Sequence, residues 1–128
     1  MSQHAERTRI LFVDDETDIA RLLCYRLEKE GYEVLYAQDG EEALALLERR
    51  PHLILLDLWL PGMNGYEVCA AVRADPRGAD IPVIFFTASA SELSVLAKKA
   101  KECGAQDHVI KPFNIQELLK KIKHYTKQ

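Results

Sequence analysis

No stretch of this chain is apolar for long enough to cross a membrane, which takes about 20 residues of helix. Its first residues, Met-Ser-Gln-His-Ala-Glu-Arg-Thr-Arg, hold no apolar run either. A secretory leader and a membrane anchor are therefore not expected, and a cytoplasmic location is. Cysteine is sparse: Cys24, Cys69 and Cys103 are odd in number and far apart. That spacing supplies neither a disulfide framework nor the close pairs of a zinc or dithiol motif. Each is expected to be a small buried or half-buried apolar residue in a reducing compartment. A basic excess is missing too: 17 Lys and Arg against 20 Asp and Glu leave a formal charge of -3. That balance gives no reason to expect direct nucleic-acid binding. Repeats, low-complexity tracts and linkers are absent, and 128 residues suffice for one core but not two. A single domain over 1–128 is expected, with its core at about 9–125.

What the chain does contain is a set of short, continuous apolar runs. Residues 53–56, Leu-Ile-Leu-Leu, show no polar alternation and read as a strand buried on both faces. Asp57 follows where that strand leaves the core, and Pro61, Gly62 and Gly65 turn what comes next into a loop. Residues 10–13 form a similar run that also ends in acids, Asp14 and Asp15. Residues 32–37, 82–86 and 108–110 complete five strands, the fourth ending at Thr87 and the fifth delivering Lys111 and Pro112.

Helical patterns fill the intervals. Ile19, Leu22, Leu23 and Leu27 recur at helical spacing until Gly31, a usual stop signal. Asp39 and Glu42 have the form of a capped start, with Ala43, Leu44 and Leu47 expected inward and Pro51 as the end. Asn64 and Glu67 repeat that signature at the head of a third helix, with Tyr66, Cys69 and Val72 expected inward. Ser91 is expected to cap a fourth helix through Leu93, Leu96, Ala97 and Ala100, closed by Gly104. Asn114 and Glu117 cap a fifth, whose inner stripe is Ile115, Leu118, Leu119 and Ile122. Its last turns carry Lys120, Lys121, Lys123 and Lys127, where cations suit the helix dipole. Five strands alternating with five helices, without a hairpin-length connection, predict an α/β fold with a doubly wound parallel sheet. Ligands of such sheets bind outside the carboxyl ends of the strands.

At those ends stand Asp14, Asp15, Asp57, Thr87 and Lys111. Taken singly, each is also what a helix cap, a dipole partner or a solvated lysine looks like. Gathered at one edge, they ask for a common explanation. Three converging carboxylates repel, so either their pKa values rise or a cation sits among them. Oxygen ligands without His or Cys favour a hard ion such as Mg²⁺. Lys111 and Thr87 add a point charge and a hydroxyl donor, a set that suits a phosphoryl group. Asp57 is the expected nucleophile, because carboxylates form acyl phosphates.

Val-Asp-Asp-Glu at 13–16, the loop Asp57-x-x-x-Pro61-Gly-Met-Asn-Gly65, Phe-Thr87-Ala and Lys111-Pro-Phe113 together resemble the receiver domain of bacterial response regulators. The likeness runs from about residue 9 to 125 and is to the chemotaxis-regulator type, with a flavodoxin-like sheet in the order 2-1-3-4-5. It implies that Asp15 binds Mg²⁺ directly and Asp14 largely through water. Asp57 would be both ligand and phosphoacceptor, and the backbone carbonyl of Trp59 a further ligand. Lys111 would pair with the phosphoryl group, Thr87 would turn toward it, the amide of Ala88 would help hold it, and the Lys111–Pro112 bond would be cis. The implied function is a switch rather than a turnover enzyme, catalysing only its own phosphorylation and dephosphorylation. The phosphoryl group would come from a phosphohistidine of a histidine kinase or phosphotransfer protein, docked on the first helix. Output would pass through the fourth helix, last strand and fifth helix, in a monomer or a phosphorylation-dependent dimer.

Three positions depart from or individualise that resemblance. His108 stands where many receivers have Tyr or Phe, either as the switch side chain behind Thr87 or as a half-exposed residue at a strand edge. Trp59 flanks the path by which water would reach an aspartyl phosphate and is expected to shield it, with small Ser89 on the other side. Asn64 stands where many relatives have Asp and serves equally as a cap. An aspartyl phosphatase would need Asp-x-Asp after the first strand, whereas Asp14 and Asp15 are adjacent. A flavin domain would need a Ser/Thr/Gly-rich loop after residues 10–13, and none is there. A receiver that works without phosphorylation would not need the full acid, Thr and Lys set.

Overall fold

Strand and helix alternate along the whole described chain in a computed structural model, which describes residues 7–87, 98–99, 101–111 and 113–126. The order is β1 (Arg9–Val13), α1 (Thr17–Lys29), β2 (Glu33–Ala37), α2 (Gly40–Ala45) with a 3-10 turn (Leu46–Arg49), β3 (Leu53–Asp57), α3 (Gly65–Ala74) and β4 (Val83–Thr87). Residues 98–99 and 101–103 are helical and are named α4; β5 (Asp107–Ile110) and α5 (Ile115–Thr126) follow. The expected positions Ala88, Ser89, Ser91, Leu93, Leu96, Ala97, Ala100 and Pro112 lie outside the described residues.

All neighbouring strands are parallel, in the order β2-β1-β3-β4-β5. This is the doubly wound, flavodoxin-like arrangement. Register brings the chemistry to one edge: Val13 pairs with Leu56, Asp57 with Phe86 and Thr87 with Ile110. Asp57 is thus the last residue of β3 itself rather than the first of its loop.

Strand alternation divides the core into two layers. Leu11, Val13, Ile54, Leu56 and Phe85 pack toward Ala43 and Leu47, and toward Val68, Cys69 and Val72 of α3. Ile10, Phe12, Leu53, Leu55 and Phe86 pack toward Leu23 and Leu27 of α1 and Leu118, Leu119 and Ile122 of α5. Both faces of the sheet are covered, which is why its central strands are continuously apolar. Of the four apolar positions at helical spacing in α1, only two are buried. Its buried residues are Ala20, Leu23 and Leu27, while Ile19 is 40% and Leu22 74% exposed. The stripe repeats at i, i+3 and i+7 from the small Ala20, and Ile19 and Leu22 fall on the solvent side of it. Tyr66, expected inward on α3, is only partly buried at the rim of its layer.

Local chemistry sets the helix starts. Asn64 and Glu67 form a reciprocal capping box, with both bonds at 3.0 Å. Asp39 accepts from the Glu42 amide at 2.9 Å, and Glu42 accepts from the amide of Gln38 at 3.1 Å. Gly65 donates to the Leu58 carbonyl at 2.7 Å, and a Cβ there would fall 2.8 Å from the Asp57 carbonyl oxygen. Only glycine lets α3 begin this close to the end of β3.

Candidate metal and phosphoryl site at the strand ends

Asp14 continues β1 by donating its amide to the Ala37 carbonyl at 3.1 Å, which holds its side chain under the sheet edge. That carboxylate is fully buried. Oδ1 accepts from the Glu16 amide at 2.9 Å and folds the acidic segment into α1. Oδ2 accepts from Lys111 Nζ at 3.0 Å. Asp57 enters from β3 and is 7% exposed, whereas Asp15 is exposed. Oxygens of the three carboxylates lie within 4.8 Å of one another, the one cluster of potential metal ligands among the described residues.

Lys111 reaches the cluster from the end of β5. Its ammonium is 3.7 Å from Asp57 Oδ1 and 3.8 Å from Glu16 Oε1, and it lies 5.8 Å from the centroid of the Phe86 ring. Burial pushes the Asp57 carboxyl up to about 6; Lys111 pulls it down, Asp14 pushes it up, the Trp59 amide bond lowers it, and Asp15 raises it. Burial works against the Lys111 ammonium, yet the hydrogen bond to Asp14 and the charges of Asp57, Asp14 and Glu16 raise its pKa. Three carboxylates against one ammonium leave the charge of two anions unbalanced. A hard dication on oxygen donors is the counter-charge that this set fits.

The remaining expected residues are placed unevenly. Thr87 closes β4 at the same edge, its backbone in register with Ile110. Trp59 is 58% exposed, two residues past Asp57. His108 is half-buried in β5, where its amide donates to Asp107 Oδ1 at 2.8 Å and its register partner is Phe85. It is not among the acids. Two supporting residues escaped the sequence reading: Tyr36, whose hydroxyl donates to the Asp14 carbonyl at 2.5 Å, and Phe86, the aromatic floor beneath Lys111. Both depend on which strands are neighbours.

The model of the response regulator receiver domain matches residues 10–123. The chain belongs to that family. As a receiver of two-component signalling, it is 42% identical over 118 residues to the DNA-binding response regulator MtrA of Mycolicibacterium smegmatis. That stretch is 91% of this chain and 50% of the relative, so the chain spans about half the length of that protein. Among solved structures, this receiver is similar to the chemotaxis response regulator CheY4 of Vibrio cholerae, with a TM-score of 0.85 and 33% identity over 94% of this chain and 99% of the other. It is also similar to the receiver domain of the sensor histidine kinase PA1611 of Pseudomonas aeruginosa, with a TM-score of 0.84 and 28% identity over 96% of this chain and 100% of the other. That structure has a magnesium ion coordinated in its active site cleft. No helix among the described residues of this receiver is long and apolar enough to cross a membrane.

Proposed function

We propose that this receiver is a phosphorylation-driven switch whose phosphoacceptor is Asp57 and whose cofactor is Mg²⁺. The observation that carries the reading is the convergence of Asp14, Asp15 and Asp57 within 4.8 Å beside the Lys111 ammonium. Asp15, Asp57 and the Trp59 carbonyl would hold the ion, with Asp14 acting through water; the magnesium in the cleft of the PA1611 receiver supports the choice of metal. When bound, the ion neutralises the acids and draws charge from the phosphoryl oxygens. An Asp57 oxygen attacks the phosphorus of a phosphohistidine, the oxygen–phosphorus bond forms, the phosphorus–nitrogen bond breaks, and the imidazole leaves. Lys111 moves from its hold on Asp14 to pair with the transferred group, and Thr87 and the Ala88 amide donate to it.

The donor in this reading is a histidine kinase or a phosphotransfer protein. Its docking on α1 is supported by the solvent-facing Ile19, Leu22 and Tyr25. The switched surface is that of α4, β5 and α5, with Thr87 and His108 coupling it to Asp57 and with partner binding or self-association as the readout. Residues 1–128 act as one receiver domain in the cytoplasm, this domain makes no direct nucleic-acid contact, and its catalysis is confined to its own aspartyl phosphate. Acetyl phosphate with Mg²⁺ tests this. Wild type gains the mass of one phosphoryl group, and the gain is lost with a chelator. An equal gain in chelator would contradict the metal-dependent reading.

A further inference from the structure

We propose that Cys69 and Cys103 are a peroxide-sensitive thiol pair that closes to a disulfide between α3 and α4. Neither residue belongs to the acidic site, and the proposal does not depend on phosphorylation of Asp57. Cys69 lies on the inner face of α3, fully buried. Its thiol donates across 34 positions of sequence to the Cys103 carbonyl at 3.2 Å. Cys103 packs against the same core layer from α4, half-buried. It also lines a surface groove of about 380 Å³ with Tyr66, Glu67, Ala70, Lys99 and Glu102. Cys103 therefore stands at a surface groove, with the buried Cys69 against its main chain.

The backbone around the pair is already held at short range. Arg73, one turn beyond Cys69 on α3, donates to the Gly104 carbonyl at 2.8 and 3.2 Å, to Gln106 Oε1 at 3.0 Å and to the Gly78 carbonyl at 2.8 Å. Gly104 has a positive φ of 84°, and a Cβ there would fall 2.9 Å from Arg73 Nε, so glycine permits this close approach. With the Cys69 thiol against the Cys103 main chain, the two cysteines are neighbours across the helix pair, and a short span between backbones is the first requirement of a disulfide. Cys24 is excluded as a partner because it packs in the opposite layer of the sheet. None of the three cysteines is in a disulfide in this reduced form.

The order of events follows from reactivity. Burial pushes the Cys69 thiol up to about 12, reinforced by the Cys103 side chain beside it, so Cys69 stays protonated at neutral pH. Oxidation begins at the more accessible Cys103. Its sulfur attacks hydrogen peroxide, the oxygen–oxygen bond breaks, one water leaves, and a sulfenic acid remains. Cys69 sulfur then displaces the sulfenic oxygen as a second water, which carries off the Cys69 proton. Two thiols have given two electrons and two protons to the peroxide. A dithiol reductant reverses the bond by exchange. The consequence is that α4 becomes covalently tied to α3, restricting the helix beside β5. Transient bonds of this kind are the usual form of disulfides in a reducing compartment.

The test is peptide mapping of the full chain after hydrogen peroxide treatment and alkylation, without reduction. The expected result is one cross-linked pair joining the Cys69 and Cys103 peptides, with the parent monomer lighter by two hydrogen atoms and Cys24 alkylated. Dithiothreitol should restore both alkylatable thiols, C103S should abolish the pair, and C24S should leave it unchanged. The urea midpoint of the oxidised protein should lie above that of the reduced one. Cys103 found as sulfinic acid with Cys69 still alkylatable, a bridge through Cys24, cross-linked dimers, or no bridge at all would each overturn the proposal. The wild-type map decides the matter even if a variant folds poorly.

Discussion

Lys111 Nζ donates to Asp14 Oδ2 at 3.0 Å, an ammonium 17% exposed against a carboxylate with no exposure at all. Removing one partner of a buried pair leaves the other charge uncompensated, which typically costs about 3–5 kcal/mol. Lys111→Met should therefore lower stability at pH 7 by roughly that amount in urea unfolding without metal. Mg²⁺ should restore much of it, since the vacated position stands among carboxylates. A variant as stable as wild type in chelator would mean that the ammonium is not the counter-charge of this cluster.

Asp57 gives a pH dependence of opposite sign to that of an ordinary salt-bridged acid. Its folded pKa of about 6 lies above the ordinary aspartate value of 3.8, so between those values the folded state binds more protons than the unfolded one. Stability should fall as pH rises through that window and stay lower above it. Asp57→Asn removes the effect. In chelator it should be more stable than wild type at pH 7 by up to about 3 kcal/mol, at about 1.4 kcal/mol for each pH unit between the two values. Below about pH 4 the two proteins should be indistinguishable. Denaturation curves of both across this range check the sign as well as the size.

Trp59 stands 58% exposed in the loop leaving Asp57, and its ring is proposed to restrict the approach of water to an aspartyl phosphate. Trp59→Ala should shorten the phosphorylated lifetime several-fold, followed as loss of the phosphoryl mass over time. Wild-type fluorescence should change on adding Mg²⁺ and again on phosphorylation. A lifetime that is unchanged or longer in the variant would rule out shielding by Trp59.

His108, half-buried in β5, is proposed to turn inward behind Thr87 on phosphorylation. His108→Ala removes the ring and should weaken the activated elution or fluorescence behaviour of the phosphorylated protein. His108→Tyr, which keeps a ring at that position, should retain it. Equal behaviour of wild type and His108→Ala would assign His108 to the strand edge alone.

The strands and the acids were readable because each buried run ends abruptly in a charged or hydroxyl residue, so Asp14, Asp57, Thr87 and Lys111 marked the sheet edge by themselves. Which strands are neighbours was not readable from periodicity, since a continuously apolar strand carries no register; the order came from the family likeness. The same gap hid Tyr36 beneath Asp14 and Phe86 beneath Lys111, and it hid the approach of Cys69 to Cys103. The buried face of α1 was not readable for a different reason. Ile19, Leu22, Leu23 and Leu27 fit two overlapping stripes, and the small Ala20 that selects the buried one carries little hydrophobic signal.

The proposed switch rests on Asp57 itself taking the phosphoryl group. An acyl phosphate is reduced by borohydride to an alcohol, so a phosphorylated Asp57 is trapped as homoserine. Treating the receiver with acetyl phosphate and Mg²⁺, reducing, and sequencing the peptides by mass should place homoserine at position 57, and nowhere in Asp57→Asn. Homoserine at Asp14 or Asp15 instead, or an Asp57→Asn protein trapped as readily as wild type, would contradict phosphorylation at Asp57.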